Sequence, residues 1–539
     1  MDEALSPSYE CDGQPCSPQA FYAAACAPQR SVAVSACAGA GKTWMLVSRI
    51  VRALLAGSAP HEILAITFTR RAAGEMRARL HEWLRQWARE ESDEALAAEL
   101  VARGMEGPEA REAAPRLRAL YGQVLAAGRE VQICTFHSWF ISLLKAAPLG
   151  VMEALGLPSS YELVEDDAAA IAALWRPWLR RVAGKGNEAL RADYGALIAA
   201  LGRANTHSAL VGALARRAEF VLADAAGAVE GAVPRFDEYF PQFAGVEKPA
   251  DWLLLREAGR AMLREAAQAL GQGTPSLQKQ GAALTEALEA GDWAGVQAAL
   301  LTQKGEPRKF SDKLAGIATV REVQEEVLRL LAAERQQAGS DYHGRITRLL
   351  RSMNDEYKCL KRQRGWVDMS DVELAAHRLL GEEAVSAAVL ERLDARVRHL
   401  LIDEFQDTNP LQWQALRTWL QSYAGAGGGQ QRPSVFIVGD AKQSIYRFRR
   451  AEPKVFEEAQ AFVQSAFEGA VLSCQHTRRN ARAVLAAVNA VMLQAQEVGE
   501  FEGYIAHTGA SAEQGTVQAL PLIARPAKTE GEGSGELPP

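Results

Sequence analysis

The chain has 539 residues, room for three or four domains. With 48% hydrophobic and 23% charged residues it has the balance of a soluble globular protein, and a formal charge of −6 does not advertise a polyanionic partner, though a local basic groove stays compatible with it. The acidic, polar start MDEALSPSYE and the want of a long apolar run argue against a secretory leader and against a membrane span.

Seven cysteines (Cys11, Cys16, Cys26, Cys37, Cys134, Cys359 and Cys474) are odd in number and widely scattered, which points to reduced thiols in a cytoplasmic protein. Cys11, Cys16 and Cys26 lie close in sequence but lack zinc-ligand spacing and a nearby histidine, so no metal site is expected there.

The first element with chemical content is SVAVSACAGAGKTWMLVSRIV, residues 31–51. Ser31 to Ser35 alternates as a strand, and from Thr43 to Leu55 the apolar residues Met45, Leu46, Ile50, Leu54 and Leu55 recur at helical spacing. Gly39 and Gly41 let the connecting backbone curl toward a ligand. On its own this stretch reads as the strand, turn and helix of a phosphate-binding P-loop, in which Lys42 would reach the β- and γ-phosphates and the Thr43 hydroxyl would hold Mg²⁺, or less often as an ordinary strand–turn–helix. Ala36 stands where the usual pattern has glycine, at little cost if its φ is negative.

Further apolar strands follow, each running into polar residues and then a helix: ILAITFT (63–69), VQICTFH (131–137), HLLIDEFQD (399–407) and SVFIVGD (434–440). Such strands alternating with helices predict a parallel sheet covered on both faces, with ligands at the strands' carboxyl ends. Between about 150 and 365 strand signals nearly vanish, and amphipathic helices such as ADWLLLREAGRAMLREAAQAL and VREVQEEVLRLLAAERQQA predict a large helical insertion. Within it GTPSLQKQG reads as a loop, and LTQKGEPRKFSDK reads as a basic loop. AGAGGGQQRPS (424–434) reads as a flexible connector and AKTEGEGSGELPP as a disordered tail.

In HLLIDEFQDT, a buried strand delivers Asp403 and Glu404 to the edge where the P-loop opens. NTP hydrolysis needs one carboxylate near Mg²⁺, the role that suits Asp403, and one to orient or deprotonate water, the role that suits Glu404. Alone, an acidic pair after a strand is more often a helix cap or a solvated turn than a catalytic pair; beside Lys42 and Thr43 the balance reverses. In GDAKQSIYRFRRAEP, Gln443 follows a strand and can hydrogen-bond a γ-phosphate. Tyr446 and Phe448 then alternate with Arg447, Arg449 and Arg450, a pattern that suits stacking and clamping of single-stranded nucleic acid, or a turn with core rings and surface arginines.

The ordered blocks from the P-loop through TFTRRAAGEM, TFHSWF, DEFQDT and GDAKQSIYRFRRA resemble the superfamily 1 UvrD/Rep-type DNA helicases, over nearly the whole chain. KQSIYRFR and the long insertion resemble the RecB/AddA branch. The resemblance implies an α/β fold: a P-loop NTPase (RecA-like) parallel-sheet domain with a large inserted helical domain and the beginning of a second RecA-like domain. Residues 1–149 and 366–468 would be the two parts of the first motor, 150–365 the insertion, 469–525 the start of the second motor and 526–539 a disordered tail.

By the same resemblance Gln19 recognises adenine, and Ala36, Cys37, Ala38, Gly39, Ala40, Gly41, Lys42 and Thr43 wrap ATP. Arg479, in CQHTRRNARAV, joins Lys42, Glu404 and Gln443 as a catalytic residue that reaches the γ-phosphate, although Thr477 and Arg478 replace the family's Asn-Tyr before it. Thr67, Phe68, Thr135, Phe136 and His137 fall where the family touches single-stranded DNA; Arg70 adds a cation there, and Tyr446, Phe448 and Arg449 form the stacking and clamping set. The implied function is an ATP- and Mg²⁺-dependent 3′-to-5′ translocase on single-stranded or tailed double-stranded DNA, in repair and recombination, whose candidate partner is a nuclease or helicase subunit. The rival readings are an ATP- and DNA-binding scaffold that depends on a partner chain, and a P-loop small-molecule kinase, which the aromatic–arginine block disfavours. Past Arg479 the sequence holds one strand-like stretch, GTVQALPLIA, and no later motor motifs, so it reads as the N-terminal half of such a helicase.

Overall fold

The computed structural model describes residues 6–158, 160–164, 166, 168–382, 397–424, 432–445, 450–501 and 504–520. The chain divides into two compact units, one drawn from residues 1–159 and 371–539 and the other from Ser160–Ser370.

The first unit is built on an eight-stranded sheet. Its strands are β1 (Ser6–Cys11), β2 (Gln14–Cys16), β3 (Val32–Ala36), β4 (Ile63–Thr67) and β5 (Gln132–Thr135). After β6 (Glu162–Val164) and β7 (Trp366–Asp368) of the other unit come β8 (His399–Ile402), β9 (Ser434–Gly439) and β10 (Ala470–Cys474). The order across the sheet is β2-β1-β10-β3-β9-β8-β4-β5, parallel from β10 to β5, with β1 antiparallel to β10 and to β2. A mixed sheet dominated by parallel strands agrees with the α/β fold expected from the sequence. Strands β4, β8 and β9 are buried at every position, as strands covered on both faces must be, which is why they are apolar runs rather than alternations.

Two strand regions were not expected. The β1–β2 hairpin turns at Asp12 and Gly13, both at positive φ (53° and 76°), so the Asp-Gly pair in CDGQPC was a legible hairpin signal. The turn brings Cys11 Sγ within 2.9 Å of Cys16 Sγ. Residues 470–474, read from the sequence as opening a second motor, form an interior strand of this sheet, in register with β3 from Val32 to Ala36. The chain then makes a short parallel pair, β11 (His476–Thr477) with β12 (Thr508–Gly509). Residues 515–520 of GTVQALPLIA carry no regular structure, and the rest of that stretch, with the tail, lies outside the described residues.

The second unit is helical, as its amphipathic sequence requires. Its spine is a 48-residue helix, Ile317–Arg364, closed by Gly365 in the left-handed region (φ 65°). One apolar cluster, with Leu263, Leu284 and Val296, packs on its first half through Val320 and Val327. Another, with Trp178, Leu197 and Leu210, packs on its second half through Leu349 and Tyr357. The stretch GTPSLQKQG, expected as a loop, is instead mostly helix: Pro275 takes the first position of Pro275–Ala290, where its missing N–H costs nothing. Gly281 lies inside that helix because a Cβ there would come 2.7 Å from the Ala267 carbonyl oxygen of the neighbouring helix.

Candidate functional site

The carboxyl edge of the first unit's sheet carries the candidate site. Ala36 ends β3 and has no positive φ, so the missing glycine costs nothing. The chain then turns through Gly39 (φ 78°) and Gly41 (φ 93°) into the helix Lys42–Leu55. Within the turn the Ala40 N–H donates to the Cys37 carbonyl, and the Cys37 N–H is held by the carbonyl of Cys474 at the end of β10. No side chain caps this helix, so its first N–H groups are left to an outside acceptor. Met45, Leu46 and Ile50 fix it on the sheet.

Arg479 lies against this loop. A Cβ at Gly39 would meet Thr477 Oγ1 at 2.5 Å and Arg479 Cβ at 2.7 Å, and the Arg478 N–H donates to the Gly39 carbonyl at 2.9 Å. Gln19 sits on the helix Pro18–Cys26, where its Nε2 donates to the Val101 carbonyl at 3.4 Å. One turn on, Tyr22 meets Trp44 edge to face at 5.4 Å, and the Arg478 guanidinium lies over both rings and bonds the Tyr22 hydroxyl.

Beyond β8 the chain delivers Asp403, whose N–H donates to the Ile66 carbonyl, and Glu404, which adopts a left-handed backbone at φ 49°. Lys42 Nζ lies 2.9 Å from Glu404 Oε2, so residues far apart in sequence form one ion pair. Burial, and then the Glu404 carboxylate, push Asp403 up to about 7 against the pull of Lys42. The same two causes raise Asp407 to about 6, and its buried Oδ1 has no hydrogen-bond partner among the described residues. Three carboxyls thus crowd one ammonium, with an orphaned oxygen among them, which is the donor chemistry of a hard dication such as Mg²⁺. Among the described residues no group of three or more His, Cys, Asp or Glu forms a metal cage by itself. Mg²⁺ here would therefore need the Thr43 hydroxyl and phosphate oxygens as well.

Gln406, a residue not singled out from the sequence, bridges the acidic turn to β9. Its Nε2 donates to Glu404 Oε2 at 2.9 Å, and its Oε1 accepts the Asp440 N–H at 2.9 Å. Gly439 makes room for this, since a Cβ there would come 2.5 Å from Gln406 Oε1. Asp440 in turn holds Gln443: the Gln443 Nε2 donates to Asp440 Oδ2 at 2.6 Å. Glu404 and Gln443 are therefore joined through two intervening residues, the Gln406 side chain and the backbone N–H and carboxylate of Asp440.

The expected DNA-contacting residues fall on the same edge. Thr67 and Thr135 are register partners on β4 and β5, so the segments following them emerge side by side. Thr67 is buried, Phe68 is half-buried, and Arg70 is exposed at the start of the helix Arg70–Trp87. Thr135 caps the helix Phe136–Ala146 by accepting the Ser138 N–H. The Phe136 ring is buried against Phe140, at 6.0 Å between centroids. His137 is half-buried, with Nε2 3.2 Å from Glu373 Oε1. Tyr446, Phe448 and Arg449 lie outside the described residues. Glu373 was also missed; its signal was an acid in line with Ala376 and Leu380 on the buried face of the helix Met369–Gly381.

A family model described as the UvrD/REP helicase N-terminal domain matches residues 17–176 and 252–464. Proteins named as one subunit of an ATP-dependent helicase/nuclease are similar to the chain. That of Desulforudis audaxviator is 27% identical over 522 residues, covering 88% of this chain and 39% of its own length. That of Natranaerobius thermophilus is 37% identical over 141 residues, 26% of this chain and 10% of its own length. That of Bacillus cytotoxicus is 32% identical over 168 residues, 30% of this chain and 13% of its own length. The chain therefore spans well under half the length of these relatives.

Proposed function

The chain belongs to the UvrD/REP helicase N-terminal domain family, and from that premise we propose that it is an ATP-dependent 3′-to-5′ DNA translocase acting on single-stranded DNA in repair and recombination. The observation that carries the reading is the meeting of Lys42 with Glu404 at 2.9 Å, with Asp403 beside them. Lys42 binds the β- and γ-phosphates of ATP within the loop of residues 36–41, Gln19 and its helix receive the base, and Arg479 reaches the γ-phosphate. Glu404 orients the attacking water, steadied by Gln406, while Gln443 contacts the γ-phosphate and reports its loss to the DNA side. Thr43 and Asp403 would hold Mg²⁺, which when bound neutralises phosphate charge.

A single strand runs along the carboxyl edge past Thr67, Phe68, Arg70, Thr135 and His137, and Tyr446, Phe448 and Arg449 stack and clamp it. The setting is the cytoplasm, and the relatives' naming as one subunit of a helicase/nuclease supports a partner chain for this one. Among the described residues no helix is long and apolar enough to cross a membrane.

The test is ATP turnover with and without single-stranded DNA, for the parent chain, Lys42→Ala and Glu404→Gln. Equal turnover in all three would refute the assigned roles. Unwinding of a tailed duplex separates a motor from a scaffold, because a scaffold binds the tail and leaves the duplex closed.

A further inference from the structure

Glu373 is fully buried on the helix Met369–Gly381, yet it is an ionised carboxylate with three hydrogen-bond donors and the His137 ring around it. Its Oε1 faces His137 Nε2 at 3.2 Å, Asn409 Nδ2 at 2.9 Å and Gln412 Nε2 at 2.8 Å. Its Oε2 accepts from Arg450 Nη2 at 2.8 Å. Burial pushes this carboxyl up, but the close approach of His137 and the charge of Arg450 outweigh it and hold it at about 2. A buried ion pair is a costly way to fill a core position, and an apolar side chain of like volume often packs at no loss of stability. The arrangement therefore needs a reason beyond packing.

The identity of these neighbours supplies one. His137 opens the segment after β5 that is assigned to DNA. Arg450 directly follows residues 446–449 in sequence and is held at φ 69°, a strained backbone for arginine. Asn409 closes the short turn that starts at Glu404: the Asp407 N–H donates to the Glu404 carbonyl, the Thr408 N–H to the Phe405 carbonyl, and Asn409 Oδ1 accepts the Gln412 N–H. One carboxylate thus grips the two DNA-side segments and the far end of the hydrolytic turn.

We infer that Glu373 is a positioning residue that couples single-stranded DNA binding to ATP hydrolysis, by fixing His137 and Arg450 relative to the turn of residues 404–409. The inference rests on the helicase reading above. Glu373 touches neither nucleotide nor DNA; it sets the geometry through which occupancy of one site is felt at the other.

The experiment uses the full chain and a fluorescein-labelled oligothymidylate. ATP turnover is measured with and without DNA, and DNA affinity by anisotropy, for the parent and Glu373→Gln, with thermal melting as the check on folding. The expected result is a loss of DNA stimulation by about tenfold, the size of an ordinary coupling between sites, with DNA-free turnover and the KM for ATP little changed. Glu373→Asp, which keeps the charge, recovers part of the stimulation. Stimulation equal to the parent's in a folded Glu373→Gln overturns the inference, and so does an equal fall in DNA-free turnover, which marks a merely structural role. Should Glu373→Gln not fold, Arg450→Gln opens the same contact from its more exposed side; there a tenfold loss supports the inference and undiminished stimulation overturns it. A parent chain that neither binds the oligonucleotide nor hydrolyses ATP overturns the helicase reading and this inference together, whereas an active parent with an equally active variant overturns this inference alone.

Discussion

Lys42 and Glu404 form an ion pair of 2.9 Å in which the lysine is buried, at 9% exposure, and the glutamate is open, at 36%. The pair sits at the lip of the site, with its carboxylate still reachable by water. On the proposed reading, phosphate at the loop would compete with Glu404 for the Lys42 ammonium, so the pair would open as nucleotide arrives and free Glu404 to act on water. Lys42→Ala should lose both nucleotide affinity and turnover. Glu404→Gln should lose turnover by about 100-fold or more, the scale of a general base, while binding a fluorescent ATP analogue at least as tightly as the parent, since the lysine has lost its competitor. Weaker nucleotide binding by Glu404→Gln than by the parent would count against this competition.

Gln406 is almost fully buried and satisfies groups on both sides, the Glu404 carboxylate and the Asp440 N–H. Gln406→Ala leaves the Asp440 N–H unpaired, a loss of about 1–3 kcal/mol in stability. It also lets Glu404 swing, so kcat should fall more than KM rises. Gln406→Glu keeps the shape but places a second carboxylate beside Glu404 and removes its donor, so it should fall further. Turnover by Gln406→Glu equal to that by Gln406→Ala would show that the bridge does not act through charge.

The geometry of the loop before Lys42 and of the turn after β8 was legible in the sequence because it is local. A strand, two glycines and Gly-Lys-Thr specify their own geometry, and Asp403 and Glu404 follow a strand whose apolar run announces its burial. What stayed hidden depends on partners that only the fold brings near. Gln406 and Asp407 stand inside a quoted motif, yet their partners Asp440 and Glu404 give them meaning. Glu373 carried a signal as an acid in line with apolar residues, but the partners that give it a role, His137, Asn409, Gln412 and Arg450, come only with the fold. The place of Ala470–Cys474 in the first sheet stayed hidden because its register with β3 is a long-range fact.

Gly39 tests the contact between the P-loop and the arginine segment. It has φ 78°, and any Cβ there would lie 2.5 Å from Thr477 Oγ1 and 2.7 Å from Arg479 Cβ. Gly39→Ala therefore strains the backbone and pushes residues 477–479 off the loop, breaking the bond from the Arg478 N–H to the Gly39 carbonyl. Nucleotide binding should weaken by about tenfold or more, and the melting temperature should fall by several degrees, for a total strain of about 1–3 kcal/mol. Gly57→Ala is the control: it has φ 95°, with open space around the added carbon, so it carries the backbone strain without the collision. If the two variants bind nucleotide alike, the packing of Arg479 on the loop does not matter to binding.

His399, at the start of β8, governs a pH dependence that the catalytic groups do not. Its Nδ1 lies 2.9 Å from the Ser434 hydroxyl and 3.2 Å from the Pro28 carbonyl, and its Nε2 lies 2.8 Å from the Ser58 hydroxyl, so the neutral ring is held on both edges. Burial, and then the charge of Arg49, push the imidazole down from 6.5 to about 4. The folded protein thus refuses a proton that the unfolded chain takes up below 6.5. Stability is fully present above that value and drains away as pH falls toward 4, by about 2 kcal/mol between pH 7 and pH 5. Asp403 and Asp407, whose carboxyls are raised, act with the opposite sign over the same window, because the folded state then binds protons more readily than the unfolded one. Comparing parent with variant removes their contribution. His399→Asn keeps a donor near the Pro28 carbonyl and does not titrate; it should be less stable at pH 7 yet lose less between pH 7 and pH 5 in urea unfolding. A variant that loses as much stability as the parent over that interval would place the proton-linked transition elsewhere in the protein.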